Sequence, residues 1–107
     1  MHNGVLLSSF ELVRVLAIDT SQWIENWYLE PLQKLVHLRY LRLSGHAKLP
    51  KEIAGLKFLQ TLDVDDEPLT SVGSLTQLLC LRIRRLTQRV PDGIAKLTSL
   101  QELEIVY

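Results

Sequence analysis

The sequence predicts an α/β solenoid, in which short parallel strands line one face and short helical turns or loops return along the other. Two observations carry this. One aliphatic spacing recurs five times along 107 residues, and the residues available for a core are almost entirely aliphatic. Apolar residues make up 47% of the chain and aromatic ones only 7%, so Leu, Ile and Val must fill the interior. At this length the chain forms one domain at most.

The repeat is L-x-x-L-x-x-L-x-L with other aliphatics allowed. It runs through Phe10, Val13, Leu16 and Ile18, then Leu35, Leu38, Leu41 and Leu43. It returns at Leu56, Leu59, Leu62 and Val64, at Leu75, Leu78, Leu81 and Ile83, and at Leu97, Leu100, Leu103 and Ile105. The starts at 10, 35, 56, 75 and 97 lie 25, 21, 19 and 22 residues apart, in or beside the roughly 20–29-residue period of leucine-rich repeats. The closing L-x-L is a strand whose alternate side chains point to opposite faces, so both aliphatics enter the core. The two earlier positions pack beneath the strand. No unit covers its own apolar side, so each stacks on the next and the strands form one concave parallel sheet. Residues 1–9 are read as an N-terminal flank or lead-in strand, and residues 10–107 as the leucine-rich-repeat domain.

The returns carry a pattern of their own. Leu49-Pro50-Lys51-Glu52-Ile53-Ala54-Gly55-Leu56 matches Val90-Pro91-Asp92-Gly93-Ile94-Ala95-Lys96-Leu97 position by position. Proline cannot donate to a ladder and suits the turn out of the sheet. The Ile and Leu that follow repack the core through a short helical or 3₁₀ turn. Pro68–Leu75 is a shorter relative. The first return is the outlier: Trp23 and Trp27 stand four residues apart, on one face if the segment is helical. They either anchor a neighbouring domain or fill space beneath that long return.

The stretches LVHLRYLRLSG (35–45), LPKEIAGLKFLQTLDV (49–64) and VPDGIAKLTSLQELEI (90–105) resemble the leucine-rich-repeat region of plant intracellular nucleotide-binding disease-resistance receptors. SFELVRVLAID (9–19) is similar to the place where such a solenoid begins, and the likeness spans about residues 5–107. The resemblance implies a cytoplasmic recognition module in plant defence. Its partner would be a pathogen-derived protein, a host protein or the receptor's own nucleotide-binding module. No G-x-x-x-x-G-K-[ST] loop occurs, so nucleotide binding is not assigned to this chain. The position three after each strand, often Asn or Cys in such repeats, holds Ser21, His46, Glu67 and Leu86, and less regular loops are expected there. The sequence stops at Tyr107 directly after a strand, without a capping repeat. That favours a fragment or a truncated product whose open end lacks a polar cap.

Composition and chemistry narrow the function further. Twelve basic residues balance twelve acidic ones, which argues against nucleic-acid and membrane-surface partners. No signal peptide or membrane span is present in the pattern. Cys80 is the single cysteine, with no base beside it, and is read as an inert thiol. His2, His37 and His46 show no metal spacing, and Asp63, Asp65, Asp66 and Glu67 lack a histidine or glycine-loop partner and are read as a solvated acidic loop. No nucleophile–base–orienter set is visible, so neither catalysis, a cofactor nor a metal is expected.

Binding residues should therefore be the outward positions of the strands. The middle outward column reads Ala17, Arg42, Asp63, Arg82, Glu104, flanked by Val15, Tyr40, Thr61, Cys80, Glu102 and by Asp19, Ser44, Asp65, Arg84, Val106. One reading is a mixed-charge protein-recognition patch formed by Tyr40, Arg42, Thr61, Asp63, Asp65, Arg82, Arg84, Glu102 and Glu104. The other is a cross-strand ladder of exposed ion pairs, worth about 0–1 kcal/mol each. Arg82, Arg84 and Arg85 are read as balancing the nearby carboxylates in preference to holding a phosphate. A truncated remnant with only a structural role is the alternative to a recognition module.

Overall fold

A computed structural model describes residues 12–19, 34–45, 51–65, 72–85 and 92–106 of the chain. Phe10, the two tryptophans, His2, His46, Asp66, Glu67, the residues three after each strand and the prolines of the returns lie outside the described residues.

Each L-x-L becomes the centre of a five-residue strand: β1 (Val15–Asp19), β2 (Tyr40–Ser44), β3 (Thr61–Asp65), β4 (Cys80–Arg84) and β5 (Glu102–Val106). They pair in parallel in chain order β1-β2-β3-β4-β5. The register is that of the repeat: Leu16, Leu41, Leu62, Leu81 and Leu103 form one column, with Ala17, Arg42, Asp63, Arg82 and Glu104 beside it. The returns close through 3₁₀ turns at Lys51–Gly55, Val72–Ser74 and Asp92–Lys96, as the Ile-x-x-Leu spacing predicts.

The core is a stack of equivalent aliphatics. Leu35, Leu38, Leu41, Ile53, Leu56, Leu59, Leu62, Val72, Leu75, Leu78, Leu81 and Ile83 are all fully buried. Burial fades at the last strand, where Leu103 is 46% exposed and Ile105 only partly buried. That follows from stacking, because the central strands are covered from both neighbours and β5 is covered only from β4 among the described residues.

Backbone hydrogen bonds explain how three-residue steps feed a two-residue alternation. Before β2, β3, β4 and β5, Leu38, Leu59, Leu78 and Leu100 donate their N–H to the carbonyl three residues back, closing a tight turn. The next two amides then share one acceptor: Arg39 and Tyr40 N–H both donate to the Arg14 carbonyl, at 2.8 and 3.0 Å. Gln60 and Thr61 repeat this on Arg39, Leu79 and Cys80 on Gln60, and Gln101 and Glu102 on Leu79. Two consecutive side chains per unit therefore turn outward, between the buried leucines at Leu38 and Leu41 or Leu59 and Leu62. The result is an additional outward column of Arg14, Arg39, Gln60, Leu79 and Gln101 at the rim where the strands begin.

Two further contacts fix neighbouring units. The return turns of the last two units meet at glycines, where a Cβ added to Gly93 would lie 2.9 Å from the Gly73 amide nitrogen. Gln77 Nε2 donates to the Leu56 carbonyl at 3.0 Å, tying one turn to the preceding one. Directly after β2 and β4 the backbone turns left-handed, at Gly45 (φ 93°) and at Arg85 (φ 58°). Glycine takes that conformation without cost, whereas arginine carries Cβ strain there.

Candidate functional site

The outward face of β2, β3 and β4 assembles the site. Parallel register places Arg42 against Asp63 and Asp63 against Arg82, with Tyr40, Thr61 and Cys80 on one side and Asp65 opposite Arg84 on the other. The three columns read from the sequence are thus adjacent in space. Glu102 and Glu104 extend them onto β5 and are exposed.

The charges do not pair straight across in every row. Asp63 is 1% exposed and sits beneath two guanidinium groups. Arg42 Nη1 donates to Asp63 Oδ1 at 3.0 Å and to Asp65 Oδ1 at 3.1 Å. From the opposite side Arg84 donates Nε to Asp63 Oδ1 and Nη2 to Asp63 Oδ2, both at 3.1 Å, a two-point fork. Asp65 Oδ2 in turn accepts the Gly45 N–H at 2.9 Å, so the network also holds the left-handed turn after β2. Ion pairing with Asp63 holds the Arg84 guanidinium more firmly protonated than usual, through its hydrogen bond first and its charge second.

This arrangement corrects two expectations. Asp63 and Asp65 are not part of a solvated acidic loop; they are buried strand residues beneath arginines. Nor is the middle column a uniform exposed ladder, because Arg82 and Glu104 face each other in register but form no ion pair among the described residues. The diagonal Arg84–Asp63 bond takes the place of the straight Arg82–Asp63 one, leaving Arg82 half-buried and without an ion pair among the described residues.

The remaining candidates fall into place around this network. Cys80 is half-buried, with Sγ 3.9 Å from Glu102 Oε2. Burial pushes its thiol above the usual range, Arg82 opposes that shift, and Glu102 and Asp63 add to it. His37 is exposed on the turn before β2, and among the described residues no group of His, Cys, Asp or Glu is arranged to hold a metal ion. No helix among the described residues is long and apolar enough to cross a membrane.

The rim column Arg14, Arg39, Gln60, Leu79, Gln101 is outside the predicted set. The spacing Leu38-x-x-Leu41 held the signal for it, since two residues between core leucines leave room for two outward side chains.

The repeat geometry agrees with comparison to known families: the model of a leucine-rich repeat region matches residues 1–107. The chain belongs to that family. Disease resistance protein RGA5 of Oryza sativa subsp. japonica is 35% identical over 107 residues, covering 92% of this chain and 9% of the relative. Disease resistance protein RGA4 of the same plant is 43% identical over 58 residues, 53% of this chain and 6% of the relative. The resemblance to plant disease-resistance proteins therefore holds over the repeats, while the chain spans less than a tenth of those relatives. Among solved structures, internalin C2 from Listeria monocytogenes superposes with a TM-score of 0.73 at 22% identity. It covers 92% of this chain and 44% of that one, and the likeness is one of fold.

Proposed function

We propose that this leucine-rich-repeat chain is a protein-recognition module of plant defence, acting in the cytoplasm, whose contact surface is the outward face of β2 to β5. The observation that carries the reading is the Arg42–Asp63–Arg84 network. Four charged side chains on three strands are held in one arrangement, and a fixed charge pattern loses little side-chain freedom when a partner docks. Tyr40, Thr61, Arg82, Glu102 and Glu104 then serve as contacts, with Tyr and Arg the residue types that most often dominate an interface. Arg42, Asp63, Asp65 and Arg84 set the charge pattern. The names of the rice relatives support a role in disease resistance. A pathogen-derived protein, a host protein and a nucleotide-binding module of the receptor itself are the partner kinds this reading admits.

The test compares baits in a plant leaf extract by quantitative mass spectrometry: the wild-type chain, Tyr40→Ala/Arg82→Glu on the strand face, and Lys96→Glu on the return side. All three should remain folded, and Lys96→Glu, an exposed substitution, should melt within about 2 °C of wild type. A set of proteins reduced about tenfold with the strand-face variant and unchanged with Lys96→Glu is expected. Equal recovery with all three baits contradicts the reading.

A further inference from the structure

The rim column and the turns beside it enclose a groove of about 210 Å³, lined by Arg39, Lys57, Phe58, Gln60, Gln77 and Leu79 over the buried Leu59. It lies where β2, β3 and β4 begin, apart from the Arg42–Asp63–Arg84 network. Its volume is below the roughly 300–1,000 Å³ of small-molecule pockets, and it has the room of a side chain or two, not of a metabolite.

Its chemistry is one-sided. Two cations line it, and no carboxylate among the described residues does, although the chain as a whole is charge-balanced. Phe58 is 58% exposed at its edge, a large aromatic surface left in water beside those cations. Leu79 is half-buried and supplies apolar floor. The rim amides of Arg39, Gln60 and Leu79 are already spent on the parallel ladder, so strand addition through the backbone is unavailable here and recognition must come from side chains. The Gln60 carboxamide makes no hydrogen bond among the described residues and is placed to meet a peptide group.

We propose that this groove is a second interaction surface, taking an extended acidic segment of a partner protein. An apolar side chain of that segment packs on Phe58 and Leu79, and carboxylates on either side of it meet Arg39 and Lys57. The proposal rests on the reading of the chain as a protein-binding module, but it assigns a different face and a defined partner chemistry. Charge complementarity sets the orientation and the encounter rate, and burial of Phe58 supplies the affinity.

The probe is a glycine-flanked peptide Glu-Asp-Leu-Glu-Asp titrated into the full ¹⁵N-labelled chain by NMR. Two further peptides serve as controls, one with Ser for Leu and one with Lys for every acid, together with an oligouridine. The acidic Leu peptide should move the amides of Phe58, Gln60, Gln77 and Leu79. Its Kd should weaken about tenfold in Phe58→Ser and in Lys57→Glu, and stay within about twofold in Tyr40→Ala. The Ser and Lys peptides should bind weakly or not at all. Lys57→Glu is exposed and decides the matter if Phe58→Ser does not fold. No movement at millimolar peptide, movement on the strand face, or equal binding of the Lys peptide or oligouridine overturns the proposal. The Tyr40→Ala/Arg82→Glu capture experiment is unaffected by that outcome, so the two readings fail separately.

Discussion

Asp63 Oδ1 accepts hydrogen bonds from Arg42 Nη1 at 3.0 Å and from Arg84 Nε at 3.1 Å, so one buried carboxylate links the strands on both sides of its own. A carboxylate this buried depends on its cations. Arg42→Ala leaves Asp63 and Asp65 with fewer donors and should lower stability by about 2 kcal/mol, the cost of removing one partner of a charged hydrogen-bonded set. Replacing both ends, as in Arg42→Met/Asp63→Leu, should cost less than the sum of the single changes, because each single change already breaks the same Arg42–Asp63 bond. Urea titrations of the four proteins give the coupling. Strict additivity means the network holds nothing.

The five-strand column of leucines offers a matched pair. Leu62 is fully buried in β3, whereas its counterpart Leu103 in β5 is 46% exposed. Leu62→Ala should cost about 3 kcal/mol and Leu103→Ala under about 1 kcal/mol, since only the first leaves an enclosed cavity. Equal losses in urea melts mean that Leu103 is covered in solution.

Glycines 73 and 93 set how closely two returns approach. A Cβ at Gly93 meets Gly73 backbone at 2.9 Å, while one at Gly55 meets nothing within 4 Å. Gly93→Ala should therefore destabilise by about 1–3 kcal/mol. Gly55→Ala should be neutral or slightly stabilising through the unfolded chain. Thermal melts distinguish the two, and the reverse order contradicts the packing.

Arg85 occupies the position after β4 that Gly45 occupies after β2, and both are left-handed. Arg85→Gly should thus gain stability, by about 0.5–1 kcal/mol, an uncommon sign for a change to glycine. A fall in melting temperature means the arginine side chain contributes more than its backbone strain costs.

Cys80 supplies a pH-dependent readout. Its thiol is held above the usual range by burial, with Glu102 adding and Arg82 opposing. A raised pKa means less thiolate at a given pH, so alkylation at pH 8 should be slower than for a free cysteine peptide. The rate profile should shift to higher pH. Glu102→Gln should move that profile down and Arg82→Ala should move it up. Shifts of opposite sign contradict the placement of both side chains against Sγ.

Much of this was legible in the five repeats. The spacing between leucines fixes which residues are opposite, and the strand columns follow from register alone. What register does not reveal is reach. An arginine side chain spans the roughly 7–8 Å diagonal to a residue two positions along the neighbouring strand. Arg84 therefore takes Asp63 from Arg82, and Asp63 becomes a buried anchor in place of an exposed contact. The rim column escaped for a related reason. Alternation assigns one outward residue between inward ones, whereas the shared carbonyls of Arg14, Arg39, Gln60 and Leu79 turn two outward at each strand entrance.

The most direct test of the outward strand face as the recognition surface is site-specific photocrosslinking in plant cells. A benzophenone amino acid replaces Tyr40, Arg82 or, on the return side, Ala95. Crosslinks to the same protein from positions 40 and 82, and none from 95, are the expected result. Crosslinking that comes equally from 95, or from 95 alone, contradicts the account.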